Sequence, residues 1–266
     1  MTTAVATPAV RAAKPFKLIR HSLALTRRSL IKTMRTPEAL IDVTVQAPLF
    51  LVLFVYIFGG AVAGSTHQYL QYLLPGVLAQ TVAMGSIAIG VNLNTDLEKG
   101  IFDRFRSLPV PRSAPLIGAV FGDVVRYVIV TISTLGFGYL MGFRLHNDPL
   151  SVLAGGLLAV IFALCLSWLP VFIGMKVRTS GAVQGIMFML LMPLTFGSNV
   201  FVSTATLPGW LQAFVKVNPM THLVDAMRGL FLGTPVGSHG WWTLGWCVAF
   251  VAVFMPLALR AYRKKV

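Results

Sequence analysis

Acidic residues are scarce. Asp and Glu together number 8 among 266 residues, and charged residues of all kinds make up only 11% of the chain. Soluble domains carry about 25%. So dilute a charge cannot clothe the surface of a water-soluble protein. Cysteine is nearly missing as well. Cys165 and Cys247 both sit in apolar runs, which excludes a disulfide scaffold. The local signatures of common active sites are absent: no G-x-x-x-x-G-K-[ST] phosphate loop, no G-x-S-x-G elbow, no H-E-x-x-H. His21, His67, His146, His222 and His239 are scattered without ligand spacing and read as loop or interface residues. No catalytic residue, metal site or cofactor is expected on this chain.

What is there is apolar: 56% hydrophobic residues and 18 Phe, with a mean hydropathy of +0.77. That excludes disorder and indicates an integral membrane protein with several spans. Six stretches approach the ~20 residues that a helix needs to cross ~30 Å of hydrocarbon. They run over 43–63, 73–94, 115–141, 150–175, 182–202 and 240–259. No segment looks like a cleaved signal peptide. The first stretch follows a long basic segment and is expected to serve as the targeting signal itself.

The net charge of +14 is distributed unevenly. Arg11, Lys14, Lys17, Arg20, Arg27, Arg28, Lys32 and Arg35 precede the first stretch. Lys99, Arg104, Arg106 and Arg112 follow the second, Lys176 and Arg178 the fourth, and Arg260, Arg263, Lys264 and Lys265 the last. Arg144, Lys216 and Arg228 fall on the other side, and Arg126 lies within a stretch. Bases concentrate on cytoplasmic loops, so an even number of spans puts both termini in the cytoplasm. A nucleic-acid partner is not needed to explain the charge.

Three segments carry the functional expectations. Residues 16–35 form an amphipathic pattern, with Phe16, Ile19, Leu23, Leu30 and Met34 on one face and Lys17, Arg28, Lys32 and Arg35 on another. This reads as an interfacial helix, either a passive anchor or a lever on the first span. In the loop 95–112, Thr95-x-x-Glu98 reads as a capping box opening a short helix, which Gly100 relaxes and Pro109 and Pro111 stop. Its apolar Ile101, Phe102 and Phe105 read as a surface for docking into another protein. Residues 203–239 are too apolar for a wet loop. They read as two short helices broken at Asn218-Pro219 and packed back against the spans.

Within the third stretch, Asp123 and Arg126 are spaced to pair on one helix face. The pair is either structural or part of a transport path. Gln46, Gln80, Asn92, Asn94, Gln184 and Asn199 either line such a path or cross-link helices. Gly60/Gly64, Gly118/Gly122, Gly138/Gly142 and Gly181/Gly185 are small-residue pairs that allow close helix approach.

Two motifs and this layout together resemble the permease subunits of ATP-binding-cassette type-2 exporters, near the daunorubicin-resistance and other multidrug or lipid exporters. One is the run from Glu98 through Lys99, Gly100, Ile101, Phe102, Asp103, Arg104, Phe105 and Arg106 to Pro109. The other is Pro208 and Trp210, then Asn218-Pro219-Met220-Thr221, then Asp225 and Arg228, with Asp225 where Glu is commoner in the family. The resemblance covers nearly the whole chain. It implies a coupling helix at 95–112 seated in a separate ATPase subunit, with Glu98, Gly100, Ile101, Phe102, Arg104, Phe105 and Pro109 at the contact. It implies that 203–239 is an extracellular re-entrant hairpin carrying Pro208, Trp210, Asn218, Pro219, Asp225 and Arg228.

The expectation is thus an all-α integral membrane protein with six transmembrane helices. It forms one domain over 1–266: a tail at 1–15, an interfacial helix and lead-in at 16–42, a bundle at 43–259 and a basic cytoplasmic tail at 260–266. It would be a non-catalytic permease subunit in a bacterial plasma membrane, moving a hydrophobic or amphipathic drug, antibiotic or lipid. ATP and Mg would sit on the partner ATPase. A second permease copy or a paralogue would complete the unit, with membrane lipids around it. A type-2 permease for a polysaccharide or glycolipid is the alternative, and an ion-driven secondary transporter a more distant one. A membrane-embedded enzyme would need a convergent cluster of Asp, His or Cys that the spans lack.

Overall fold

The structure is a computed structural model and describes residues 37–100 and 114–265. Residues 16–35, together with Ile101, Phe102, Arg104, Phe105 and Pro109, lie outside them. Every regular element among the described residues is helical: α1 (Pro37–Ala63), α2 (Thr66–Gly85), α3 (Ile87–Glu98), α4 (Ala114–Gly122), α5 (Val124–Leu140) and α6 (Pro149–Leu166). There follow α7 (Trp168–Lys176), α8 (Ser180–Phe196), a 3-10 turn at Thr204–Thr206, α9 (Gly209–Val217), α10 (Pro219–Leu232) and α11 (His239–Lys265).

Six of these helices are halves of three interrupted rods. The rod α2–α3 breaks at Ser86, α4–α5 at Asp123 and α6–α7 at Ser167. Counted as continuous rods, Thr44–Ala63, Thr66–Glu98, Pro115–Leu140, Pro149–Lys176 and His239–Lys264 are, among the described residues, the 5 helices long and apolar enough to cross a membrane. The apolar α8 has 17 residues, about 26 Å at 1.5 Å per residue.

Several boundaries differ from the sequence expectation. The second stretch starts at Thr66, where the Ser65 hydroxyl accepts from the Gln68 amide at 3.2 Å. It runs on to Glu98, so Thr95 does not open a new helix. The Thr95 hydroxyl donates to the Val91 carbonyl one turn back at 2.9 Å. Gly100, at φ +64°, closes the rod in the left-handed region that glycine tolerates. The fifth stretch ends at Phe196 rather than 202. There the Asn218 side-chain amide donates to the Leu194 and Gly197 carbonyls at 2.8 and 2.9 Å, satisfying the exposed end of α8 so that the chain can turn.

In lipid, apolar side chains gain nothing by touching each other rather than acyl chains, so helix contacts rest on close packing and hydrogen bonds. The closest approach is between α3 and α7. A Cβ on Gly174 would meet the Gly90 carbonyl oxygen at 2.6 Å, and one on Gly90 would overlap Pro170. The Asn94 amide crosses at the same place to the Gly174 and Val177 carbonyls, at 2.8 and 3.0 Å. Of the spaced glycine pairs, Gly138 does the same between α5 and α2, where a Cβ would overlap Leu74, whereas around Gly60, Gly64, Gly181 and Gly185 there is open space.

The buried residues fall into two clusters. The larger spans α1, α2, α5, α6, α8, α10 and α11, with Leu73, Leu78, Tyr127, Phe162 and Met227 among its members, and takes Ile173 from α7. The smaller joins α3, α4, α7 and the end of α11 through Ile89, Leu93, Leu116, Val120, Trp168, Met175 and Tyr262. The boundary between them falls near the three breaks, with Ile173 beyond the Ser167 break still in the larger cluster.

Candidate functional site: a break layer and an outer lock

Each break is built by local backbone competition. The Ser86 and Ser167 hydroxyls donate back to the Ala83 and Ala163 carbonyls, both at 2.6 Å. Such back-bonding bends helices. At the third break the Asp123 amide reaches Val120, three residues back, at 3.3 Å, a local 3-10 tightening.

The three breaks are tied to one another. The Arg126 guanidinium donates to Asp123 Oδ2 at 2.8 Å and to the Gly85 carbonyl, the last of α2, at 2.6 Å. The neighbouring Tyr127 hydroxyl meets Ser167 Oγ at 2.8 Å. Asp123 and Arg126 are buried, at 6% and 5% exposure. An ion pair with so little water access needs further hydrogen bonds to offset its desolvation, and Arg126 gains one while its Nε has no partner among the described residues. Here the carbonyl freed at a neighbouring kink supplies an acceptor. The sequence offered the pair. It gave no sign that Tyr127, Ser86 and Ser167 join it, since lone hydroxyls in apolar helices are ordinary.

On the same side as the smaller cluster, Glu98 Oε1 accepts from the Ser180 amide at 3.2 Å, at the first turn of α8. The start of the 95–112 loop is thereby held to the start of α8. Of the other candidates in that loop, Gly100 supplies the helix-closing turn and the rest lie outside the described residues.

At the opposite end, α10 packs against α2, α6 and α11. Asn218 caps it through its Oδ1, which accepts from the Met220 amide at 2.9 Å, and Pro219 occupies the first turn, where its missing N–H costs nothing. From α10, Arg228 reaches the chain just past α8. Its Nη2 donates to the Asn199 carbonyl at 2.8 Å, its Nε to the Tyr72 carbonyl at 3.1 Å, and its guanidinium lies 3.6 Å from the Tyr72 ring centroid. Tyr72 and Tyr69 donate from α2 to the Asn199 and Phe201 carbonyls at 2.8 and 3.1 Å. Asp225 Oδ1 accepts from the Asn199 side chain at 2.6 Å and from Arg228 at 3.2 Å. The backbone of the irregular segment 199–201 is thus held by three side chains from two helices, as buried backbone requires, and Asp225 holds the Asn199 side chain. Pro208 is the N-cap residue of α9, and Trp210 in its first turn is 76% exposed.

The fold also joins two histidines that the sequence keeps apart. His222 Nδ1 lies 3.1 Å from His239 Nδ1, and His239 lies 3.9 Å from Asp225. Trp242 stacks on His222 at 5.4 Å. Burial, then the facing His239, hold the His222 imidazole below the ordinary histidine pKa, while Asp225 pulls the other way.

Of the polar residues in the stretches, Asn94 and Asn199 cross-link segments, and Gln80 is buried with its Oε1 unpaired. Gln46, Asn92 and Gln184 are exposed on the single chain.

Residues 20–232 match the ABC-2 type transporter family. The chain is 42% identical over 258 residues to the daunorubicin resistance ABC transporter permease protein DrrB1 of Streptomyces coeruleorubidus, covering 95% of this chain and 90% of that one. It is 27% identical over 251 residues to the probable doxorubicin resistance ABC transporter permease protein DrrC of Mycobacterium tuberculosis, covering 92% and 89%. The inner membrane transport permease YadH of Escherichia coli is 24% identical over 229 residues, covering 82% and 84%.

Proposed function

This chain belongs to the ABC-2 type transporter family, and we propose that it is the permease subunit of an ATP-driven exporter carrying an amphipathic, hydrophobic compound of the drug or antibiotic class out of the cell. The observation that carries this reading is the nearly end-to-end match to a daunorubicin resistance permease. A polysaccharide cargo has no comparable support.

ATP and Mg belong to a separate ATPase subunit, and a second permease completes the unit. The loop 95–112 is the coupling helix, docking through Ile101, Phe102 and Phe105. Glu98 on the Ser180 amide passes its displacement to α8 as well as α3. The segments α3, α4 and α7 share a core of their own, so they form a lever that pivots at Ser86, Asp123 and Ser167. Arg126 and Tyr127 keep the three pivots in step. Bistable packing of this kind converts small local shifts into bundle motion.

With α8 as a crossing, six helices span the bacterial inner membrane and both termini face the cytoplasm. The hairpin α9–α10 is re-entrant at the outer face, and 16–35 lies along the inner surface. The chain is one domain over 1–266. The test is co-purification from native membranes with ATPase activity assayed on the complex. The ATPase is expected to accompany the permease and to be lost with Phe102→Asp. A permease that comes out alone in mild detergent, with no nucleotide-hydrolysing companion, overturns the reading.

A further inference from the structure

A cleft of about 390 Å3 opens between α7 and α11 at the end where the smaller core cluster lies. Phe172, Leu257 and Ala261 wall it, and Lys176, Arg260, Arg263 and Lys264 stand round it. Among the described residues no carboxylate lines it and none of the four cations is ion-paired. A topological excess of bases requires only that they fall on one side of the membrane. It does not require that two helices bring four of them round one concavity with an aromatic floor.

The α11 face explains what this arrangement fits. Val253, Leu257, Arg260 and Lys264 follow one another at spacings of four, three and four along one side of the helix. Val253 is 49% exposed, on a helix that the rest of the chain covers little. The strip therefore passes from apolar surface open to acyl chains into a ring of cations within about three turns. An anionic phospholipid has the same order: chains, glycerol, phosphate. A free phosphate would use the cations and leave the apolar strip idle. An acidic protein surface has no use for an acyl-facing strip at membrane depth. Basic pockets between helices at the cytoplasmic face are suited to anionic headgroups.

We propose that the α7–α11 cleft is a binding site for one anionic phospholipid, its phosphate held by Lys176, Arg260, Arg263 and Lys264 and its chains laid along Leu257 and Val253. The site is independent of the identity of the cargo. The full chain, purified in detergent, is titrated by native mass spectrometry with dioleoyl phosphatidylglycerol, dioleoyl phosphatidylcholine and glycerol phosphate. Phosphatidylglycerol is expected to bind at least tenfold more tightly than phosphatidylcholine. The combined Lys176→Gln, Arg260→Gln and Arg263→Gln variant should lose about a hundredfold of that affinity, at roughly 1 kcal/mol per basic residue at an anionic surface. Arg144→Gln with Lys216→Gln should lose none. Because the three substituted side chains are exposed, the thermal midpoint without added lipid should not change. Equal binding of the two lipids, or undiminished phosphatidylglycerol binding by the triple variant, overturns the proposal. So does displacement by glycerol phosphate at the lipid's own concentration, which makes the cleft a small-anion site. Loss of the co-purifying ATPase with lipid binding intact overturns it in favour of a protein contact.

Discussion

Arg126 shows how one buried charge is made tolerable. Its guanidinium has a carboxylate on its own helix and a carbonyl on the next rod. Removing Asp123 takes the carboxylate from a buried guanidinium, whereas removing both together leaves no buried charge. Asp123→Ala is expected to cost about 3–5 kcal/mol, seen as a lower thermal midpoint in detergent. Asp123→Leu combined with Arg126→Met should recover most of it. A single variant as stable as the parent would mean that the pair holds nothing. His222 makes the second prediction at this scale. Its folded pKa lies below the usual value, while the unfolded chain binds a proton near pH 6.5. The unfolded state therefore takes up more protons as pH falls, and the stabilisation is complete above about 6.5 and lost progressively below it. The thermal midpoint should hold steady from pH 8 to 7 and drop toward pH 5, and His222→Gln should flatten that slope.

At the scale of elements, the rods α2–α3 and α6–α7 touch where glycine permits and bend where serine competes for the backbone. Gly174→Ala would press a methyl into the Gly90 carbonyl, a backbone atom that cannot rotate away. Overpacking of this kind costs about 1–3 kcal/mol, and the thermal midpoint should fall accordingly. Gly185→Ala meets open space and should leave it unchanged or raise it slightly through better helix propensity. A reversed order would remove the α3–α7 crossing from the interactions that hold the bundle. Gly138, close against Leu74, was among the spaced glycines of the sequence, but Gly90 and Gly174 were not legible there: they lie on different rods, and spacing within one helix says nothing about what faces it. Likewise Thr95-x-x-Glu98 has the pattern of a helix start but sits at a helix end, because a hydroxyl in an apolar rod finds its nearest acceptor one turn behind.

For the whole molecule, the charge asymmetry and the packed bundle make a joint statement about sidedness. Lys176, Arg260, Arg263 and Lys264 gather at one end, while His222, His239 and Trp242 gather at the other. Lys264→Cys should react with a membrane-impermeant maleimide only from the cytoplasm, and Ser238→Cys only from outside. Cys165 and Cys247, within the spans, should contribute little background. Labelling of both positions from one side would refute α11 as a crossing.

Composition by itself determined that the chain lives in a membrane: with 11% charged residues no aqueous surface can be built. Hydrophobic run lengths placed the rods to within several residues, and the spacing of Asp123 and Arg126 predicted their pairing. Those are local properties, set by burial along one helix. Only the tertiary structure decided which rods meet. It brought Ser167 to Tyr127, Gly85 to Arg126, Tyr72 to Arg228 and His239 to His222. Such contacts depend on the mutual rotation and depth of separate helices. In lipid that is fixed by close approach and by the need to satisfy freed backbone groups, not by the polarity of either partner alone.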